Sequence, residues 1–593
     1  MCGIVGCNYN PNINFNDIIK LLDKRGPDCY NIKQINNNFF GHTRLTILDF
    51  NKDSNQPMIF DNILIVFNGQ IYNHKQLKIK ENLKTITKSD TEIIIRLYQK
   101  YKYEFLNRLN GMFSFCIYDI KEDIYFCARD KYGKKPFYYY FDNNKFIFSS
   151  MIKPILKILN KTPTINKIAL SQYLQYFTPI NNNTFFKNIY KLEAANYIIY
   201  DNKDFITKSY YKINTYKKIK NESLAITNIE EILINSIKYR INADVKIGSL
   251  LSGGIDSSLI SSIYSKLSKE KIDTFSIGYN EYKKYDELKY AKITAKYINS
   301  NHHELIISKK DFINSFEDVQ NALEEPHADS ASIPLHLLTK YIKQSNIKSV
   351  LSGEGSDELF LGYNNYQKIL KYYQFQKTLN KNQFEFMNSI INTIQNQTKE
   401  SEYLRRTIKK EDIYNSFGEI FTSIQQRKLF KNIPKYKKIK SKKDPIDFMS
   451  YIDIKIWIGN VLLSKVDKIS MNNSVEVRTP FLDYHLVDYL FSIDSNIKIG
   501  NTNKYLLKKI ANKYLPKEII YRTKKGFNSP YNEWIFEEWN SSILDLLLEV
   551  NNQTDFFNTK YIKEIFLLAK QNKFKQHLWS LFIFSKWFKK TYL

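Results

Sequence analysis

The sequence predicts two domains of different class, α+β over residues 1–205 and α/β over residues 206–593, the second built on a parallel sheet with a helical C-terminal part. Three observations carry this. A chain of 593 residues is too long for one hydrophobic core. Its first 200 or so residues hold short apolar, β-branched or aromatic runs divided by turn signals. Beyond a polar stretch the pattern changes to strands alternating with helices, the rhythm of a parallel sheet covered on both faces.

In order along the chain, Gly3-Ile4-Val5-Gly6 is an apolar strand, and Ile63–Phe67, Phe113–Tyr118 and Ile124–Ala128 are three more. Asn68-Gly69, Asn110-Gly111 and Asp142-Asn143-Asn144 read as turns between such runs. A helix is expected from Thr91 to Lys100, capped by Asp90. Residues 202–222 are polar and read as a linker. A helix over Ile226–Tyr239 then precedes the buried strand Ile247–Leu251, a glycine turn and a helix from about Ser257. Thr274–Ile277 is a strand, Glu287–Ile298 a helix, and Ser349–Leu351 a strand that runs straight into Ser352-Gly353-Glu354-Gly355. From about Gln367 onward the reading is mainly helical, and the last 60 or so residues look like packing helices.

Composition narrows the class of function. A hydrophobic share of 43% supports globular cores. The formal net charge of +28 invites a nucleic-acid reading. Lysines are spread along the chain, however, with no basic arm or RNA-binding motif, so no nucleic-acid partner is expected. The five cysteines show no metal-type CxxC pair and no disulfide scaffold. Neither a basic leader nor a run of about 18 apolar residues occurs, so the expectation is a cytoplasmic protein without a membrane partner.

Cys2 could act as a nucleophile whose own α-amine is its base, once Met1 is removed. Four further patches accompany it: Arg25-Gly26-Pro27-Asp28, Gly41-His42-Thr43-Arg44-Leu45, Asn68-Gly69-Gln70-Ile71-Tyr72-Asn73 and Ser89-Asp90-Thr91-Glu92. Singly, Asn68-Gly69 reads as a hairpin turn and Asp90 as a helix cap. Together with Cys2 they resemble the class II glutamine amidotransferase domain, in the order and spacing of its motifs. That resemblance implies an Ntn-hydrolase αββα sandwich. It also implies Cys2 as nucleophile, Asn68 and Gly69 as oxyanion donors, and Arg44, Asn68, Gly69, Gln70 and Asp90 as the glutamine pocket. The residue types suit the chemistry. A guanidinium grips a carboxylate with two hydrogen bonds, and amide and backbone N–H groups stabilise a developing oxyanion. Two departures stand out: Gln70 where the family usually has glutamate, and Ser150-Met151-Ile152-Lys153 where it has a Ser-Glu-Ile-Lys type segment. Loss of a negative charge at Gln70 leads us to expect weaker glutamine binding.

Ser252-Gly253-Gly254-Ile255-Asp256-Ser257 lies between a buried strand and a helix, where glycine N–H groups and a helix N-terminus can cradle phosphate. It resembles the PP-loop of ATP pyrophosphatases and is not a Walker loop. Ser352-Gly353-Glu354-Gly355-Ser356-Asp357-Glu358-Leu359-Phe360 closely resembles the aspartate- and Mg2+-binding segment of bacterial, glutamine-hydrolysing asparagine synthetases. Further matches are Glu325-Pro326, Ala328-Asp329-Ser330, Leu463–Lys468, Glu476–Asp483 and Arg522–Phe527. By that resemblance Leu250, Ser252, Gly253, Gly254, Asp256, Ser257, Ile277, Ser352 and Gly353 contact ATP. Asp256 and Asp357 hold Mg2+, Glu354 is an acid/base, and Lys524 faces the phosphates.

The resemblance covers roughly residues 1 to 530. It implies glutamine, aspartate and ATP as substrates, a β-aspartyl-AMP intermediate, asparagine as product, and a homodimer. Relatives of the same architecture amidate sugars or peptides or close lactam rings, so another carboxylate remains the alternative acceptor.

Overall fold

The computed structural model describes residues 2–213, 218–279, 281–282, 285–391, 398–439, 444–523 and 529–593. Seventeen strands are present among them. Twelve belong to the N-terminal half: β1 Gly3–Cys7, β2 Cys29–Ile35, β3 Asn38–Arg44, β4 Met58–Phe60, β5 Ile63–Ile71, β6 Gly111–Asp119, β7 Ile124–Arg129, β8 Tyr138–Asp142, β9 Lys145–Ser149, β10 Ile189–Lys191, β11 Asn196–Tyr200 and β12 Phe205–Ser209. Five follow: β13 Ile247–Leu250, β14 Asp273–Tyr279, β15 Asn301–Ile307, β16 Ser349–Leu351 and β17 Glu476–Arg478.

The N-terminal strands form two six-stranded antiparallel sheets, β10-β8-β9-β1-β3-β2 and β12-β11-β7-β6-β5-β4. Alternation along each strand explains the layering. Ile4, Phe40 and Phe148 of one sheet and Leu64, Val66, Cys116 and Tyr125 of the other form one buried cluster between the sheets. The opposite face of β5, Ile65 and Phe67, packs on Ile94, Leu97 and Tyr98 of the helix Asp90–Tyr101. Val5, Cys7 and Ile147 pack on Phe15, Ile18, Ile152 and Ile155 of helices outside the first sheet. Two sheets with helices outside each are the expected αββα sandwich.

Three sequence readings need correction here. Asn68-Gly69 is no turn: both residues lie inside β5, opposite Ser114 and Phe113 of β6. A Cβ on Gly69 would stand 2.1 Å from the Met112 carbonyl oxygen, so close strand pairing is what demands glycine. The helix after residue 89 is capped by the Ser89 hydroxyl, which accepts from Thr91 N, and Asp90 sits in its first turn. The polar stretch 202–222 contains β12, which pairs with β11 and carries the N-terminal sheet past residue 205 to Ser209.

The C-terminal sheet is parallel throughout, in the order β15-β14-β13-β16-β17. The chain winds outward from β13 to β14 and β15, then returns to β16 on the other side of β13. Strand order therefore reverses between β13 and β16, and ligands of open α/β sheets bind outside the carboxyl ends at such a point. Both glycine-rich loops, at 252–257 and 352–357, leave these two strands. The last helices, Tyr531–Thr554, Thr559–Lys570 and Lys575–Tyr592, close the molecule over its other half. Trp587 packs on Phe185 at 5.0 Å and donates to the Glu324 carbonyl at 3.0 Å. Among the described residues no helix is long and apolar enough to cross a membrane.

Candidate active sites

The alternation that buries Ile4, Leu64 and Val66 between the sheets places Cys2 and Asn68 on the same inner face, at one end of the sandwich. Cys2 is 8% exposed, and its backbone nitrogen donates to Asn68 Oδ1 at 3.2 Å. The Asn68 Nδ2 group donates to Ser150 Oγ at 3.4 Å, and Ser150 Oγ also accepts from Ile4 N at 3.1 Å. Ser150 thus orients the Asn68 amide, a role that a serine between a strand and a helix does not announce in sequence. Burial pushes the Cys2 thiol up, with the chain's amino terminus and Arg44 acting in the opposite sense.

Arg44, at the end of β3, is held by the Asn55 side chain at 2.5 Å and by the carbonyls of Leu48, Asn51 and Asp49. Its orientation is set before any ligand arrives. Asp90 accepts from Ile71 N at 2.7 Å; burial raises its carboxyl, and neighbouring His74 opposes that shift. Gln70 turns elsewhere. Its Nε2 donates to the Asn242 carbonyl at 3.3 Å and its Oε1 accepts from Arg478, both in the C-terminal half. At Met151 the backbone N–H caps onto Ser149 Oγ at 3.2 Å, and the side chain packs half-buried against the core ahead of the helix Ile152–Leu159.

At the C-terminal site Gly253 has φ +72°, and a Cβ there would stand 2.6 Å from Ala291 N. Ser252 and Ser257 brace the loop, with Ser252 N donating to Ser257 Oγ at 3.1 Å. The helix Ile255–Leu267 starts at Gly254 without a side-chain cap, which leaves its first N–H groups for an anion. Leu250 and Ile277 are half-buried on neighbouring strands beneath this loop. Gly353 brings the second loop against the first: a Cβ there would be 3.0 Å from Asp256 Cβ. Ser356 Oγ donates to Asp256 Oδ1 at 2.7 Å.

Asp256 and Asp357 converge on one ammonium, Lys504 Nζ, at 2.5 and 2.6 Å. Lys504 is 4% exposed and held well above the ordinary lysine range by these two carboxylates, which outweigh its burial. In a lysine-rich chain nothing local marks Lys504, and sequence reading missed it. Two carboxylates focused on one cation are a hard oxygen donor set, of the kind that can hold Mg2+. Glu354, half-buried, is raised by burial; Lys465 opposes this, while Asp329, Asp357 and Asp256 add to it. Lys465 bonds Asp329 at 2.7 Å. Arg522 donates to the Gly253 carbonyl at 3.1 Å and pairs with Glu287. Lys524 lies outside the described residues.

The two sites meet through the helix Leu463–Met471. Its Lys465 points to Asp329, and its Asp467 bonds Arg25 at 2.8 Å and Lys135 at 3.1 Å. Arg25 in turn donates to the Cys2 carbonyl at 3.2 Å. Two cavities lie along this interface, sharing Lys134, Leu463 and Asp467, each of about 10 Å3, enough for about one water.

Both halves of the chain resemble known proteins. Residues 1–211 match the glutamine amidotransferase domain family and residues 228–589 match the asparagine synthase family. The chain is 30% identical to glutamine-hydrolyzing asparagine synthetase 1 of Bacillus subtilis, over 99% of this chain and 96% of that protein. It is 27% identical to asparagine synthetase 3 of the same organism, over 90% of this chain and 86% of that one. An amidase of Gibberella zeae is 24% identical, over 90% of this chain and 87% of its own length. The chain therefore belongs to the asparagine synthase family, ligases that carry a glutamine amidotransferase domain ahead of the synthetase domain.

Proposed function

We propose that this enzyme converts aspartate to asparagine with ATP and glutamine, releasing glutamate, AMP and pyrophosphate. In the N-terminal domain, the Cys2 α-amine, freed by removal of Met1, takes the thiol proton. The thiolate attacks the glutamine amide carbon, and the oxyanion forms against the Asn68 amide and Gly69 N–H. Arg44 receives the substrate carboxylate and Asp90 its ammonium. The α-ammonium returns its proton to the leaving nitrogen, collapse expels ammonia, and water then hydrolyses the γ-glutamyl thioester to glutamate.

In the C-terminal domain, the aspartate β-carboxylate attacks the α-phosphorus of ATP and pyrophosphate leaves. The loop Ser252–Ser257 and the uncapped helix behind it receive phosphate oxygens, with Ser352, Gly353, Leu250 and Ile277 around the nucleotide. Asp256 and Asp357 would hold Mg2+, which supplies positive charge to the phosphates when bound. Lys524 adds a further cation there. Ammonia attacks the β-aspartyl-AMP carbonyl, Glu354 takes the surplus proton, and AMP departs.

The observation that carries this reading is the Leu463–Met471 helix. One of its side chains reaches the Arg25–Cys2 contact and another the Asp329 group beside Glu354. The cavities along it support a route for ammonia between the sites. Incubation with ATP, Mg2+, ammonium and a panel of carboxylates, followed by pyrophosphate measurement, tests the acceptor. Aspartate-dependent pyrophosphate release is expected; release only with a sugar, peptide or other carboxylate would replace aspartate as substrate.

A further inference from the structure

Arg478 touches the machinery of both sites at once. It is fully buried at the end of β17, in the synthetase half. Its Nε bonds Glu476 Oε1 at 2.6 Å, one Nη donates to the Arg240 carbonyl, and the other donates to Gln70 Oε1. Gln70 stands two residues from Asn68 on the same face of β5, and Asn68 holds Cys2 N. In the other direction, the Arg478 carbonyl accepts from Ser352 N at 2.8 Å. Ser352 opens the loop that carries Glu354 and Asp357.

The charges around Arg478 explain the neutral residue opposite it. Arg478 pairs with Glu476, and Arg240 pairs with Asp483 at 3.0 Å, both buried. A carboxylate at Gln70 would add a further negative charge to this buried set. The amide keeps the acceptor that Arg478 needs without the charge.

Building on the two-site reading above, we propose that Arg478 is a positioning residue shared by the two sites. Its guanidinium fixes Gln70, and with it the Asn68–Gly69 segment; its carbonyl fixes the start of the Ser352 loop. Loading the synthetase loops with ATP and aspartate is then felt at the glutaminase strand. The role of Gln70 is this latch, with both ends of its amide spent on the other domain.

The test measures glutamate release from glutamine by the full-length enzyme, with and without ATP, Mg2+ and aspartate together. In the wild type these ligands raise the rate by about fivefold or more, the lower end of common coupling factors. Gln70→Met, uncharged and of similar volume, loses both amide hydrogen bonds and brings the ratio to about 1. Gln70→Glu can still accept from Arg478 but cannot donate to the Asn242 carbonyl and adds a buried negative charge, so it brings back at most part of the ratio. Arg478→Lys, too short to hold Gln70 and Arg240 together, also brings it to about 1; if that variant fails to fold, the Gln70 pair decides alone. A wild-type ratio of about 1, or a full ratio in Gln70→Met, overturns the proposal. No glutamate release under any condition would instead overturn the amidotransferase reading on which it rests.

Discussion

Gly69→Ala tests the glutaminase geometry at the position where space is tightest. The new Cβ would stand 2.1 Å from Met112 O and 2.7 Å from Phe113 Cα, both backbone atoms of the paired strand β6. Carbon contacts settle near 3.5 Å, so β5 and β6 must part by more than about 1 Å. No flexible side chain can absorb this. An N–H donor moved about 1 Å beyond its usual 2.9 Å no longer makes a useful hydrogen bond. Losing one oxyanion donor costs about 100- to 1,000-fold in kcat, or about 3–4 kcal/mol. Glutamate release should therefore fall by at least about 100-fold. Asparagine formation from added ammonium, measured on the same preparation, should stay within about twofold, as it should in Cys2→Ala. Glutamate release within about fivefold of wild type would refute the assignment of Gly69, because the strand would have yielded without disturbing the site.

Three further outcomes follow from the same geometry. Glu354 is raised by burial and by Asp329, Asp357 and Asp256 against the pull of Lys465. Since a base must be ionised to act, the acid limb of ammonia-driven synthesis, plotted against free ammonia, should lie above the ordinary glutamate value of about 4.3. Glu354→Gln should lower that rate at least about 100-fold, and an acid limb at the ordinary value would contradict the role. Lys504→Met leaves Asp256 and Asp357 without their common cation. The variant should melt at lower temperature, and Mg2+ alone should raise its melting point more than it raises the wild type's; equal responses would show that the two carboxylates are no cation site. Asp467 is buried, but Arg25 and Lys135 hold its carboxyl below the ordinary range. A depressed folded-state pKa gives stability that is present above the unfolded value of about 3.9 and lost as pH falls through the folded one. Asp467→Asn should therefore cost about 3 kcal/mol near pH 7, and the gap to wild type should narrow below about pH 4. A gap independent of pH would mean that the ion pairs contribute nothing.

Much of the architecture was legible because local pattern and global layer agree. Ile63–Phe67 is apolar on both faces because β5 is covered on both: inner residues meet the facing sheet, and outer ones meet the Asp90–Tyr101 helix. The strand–glycine–helix junctions at 252 and 352 are visible because a phosphate cradle needs glycine for geometry that no other residue adopts cheaply. Less was legible where pairing, not pattern, makes the element. β15 begins Asn-His-His-Glu at a sheet edge, β17 is three residues long, and β12 lies in a polar stretch. Asn68-Gly69 has the composition of a turn, and only the approach of β6 makes it a strand.

For the sites the division is similar. The residue types proposed for each pocket, Cys2 with Arg44, Asn68 and Asp90, and Asp256 with Glu354 and Asp357, are those the proposed chemistry asks for and so could be read in order along the chain. The partners that orient them could not. Ser150 behind Asn68, Lys504 beside Asp256, and Asp467 beside Lys135 are separated from their partners by 82, 248 and 332 residues. Gln70 shows the limit most clearly. Its identity suggested a weakened substrate contact, whereas the packing of the two domains turns its amide to Arg478 and Asn242. Motif order determined which chemistry this chain carries. How its two centres are joined was decided only by tertiary packing, because buried charges take their partners from whatever strand or helix the fold brings within hydrogen-bond reach.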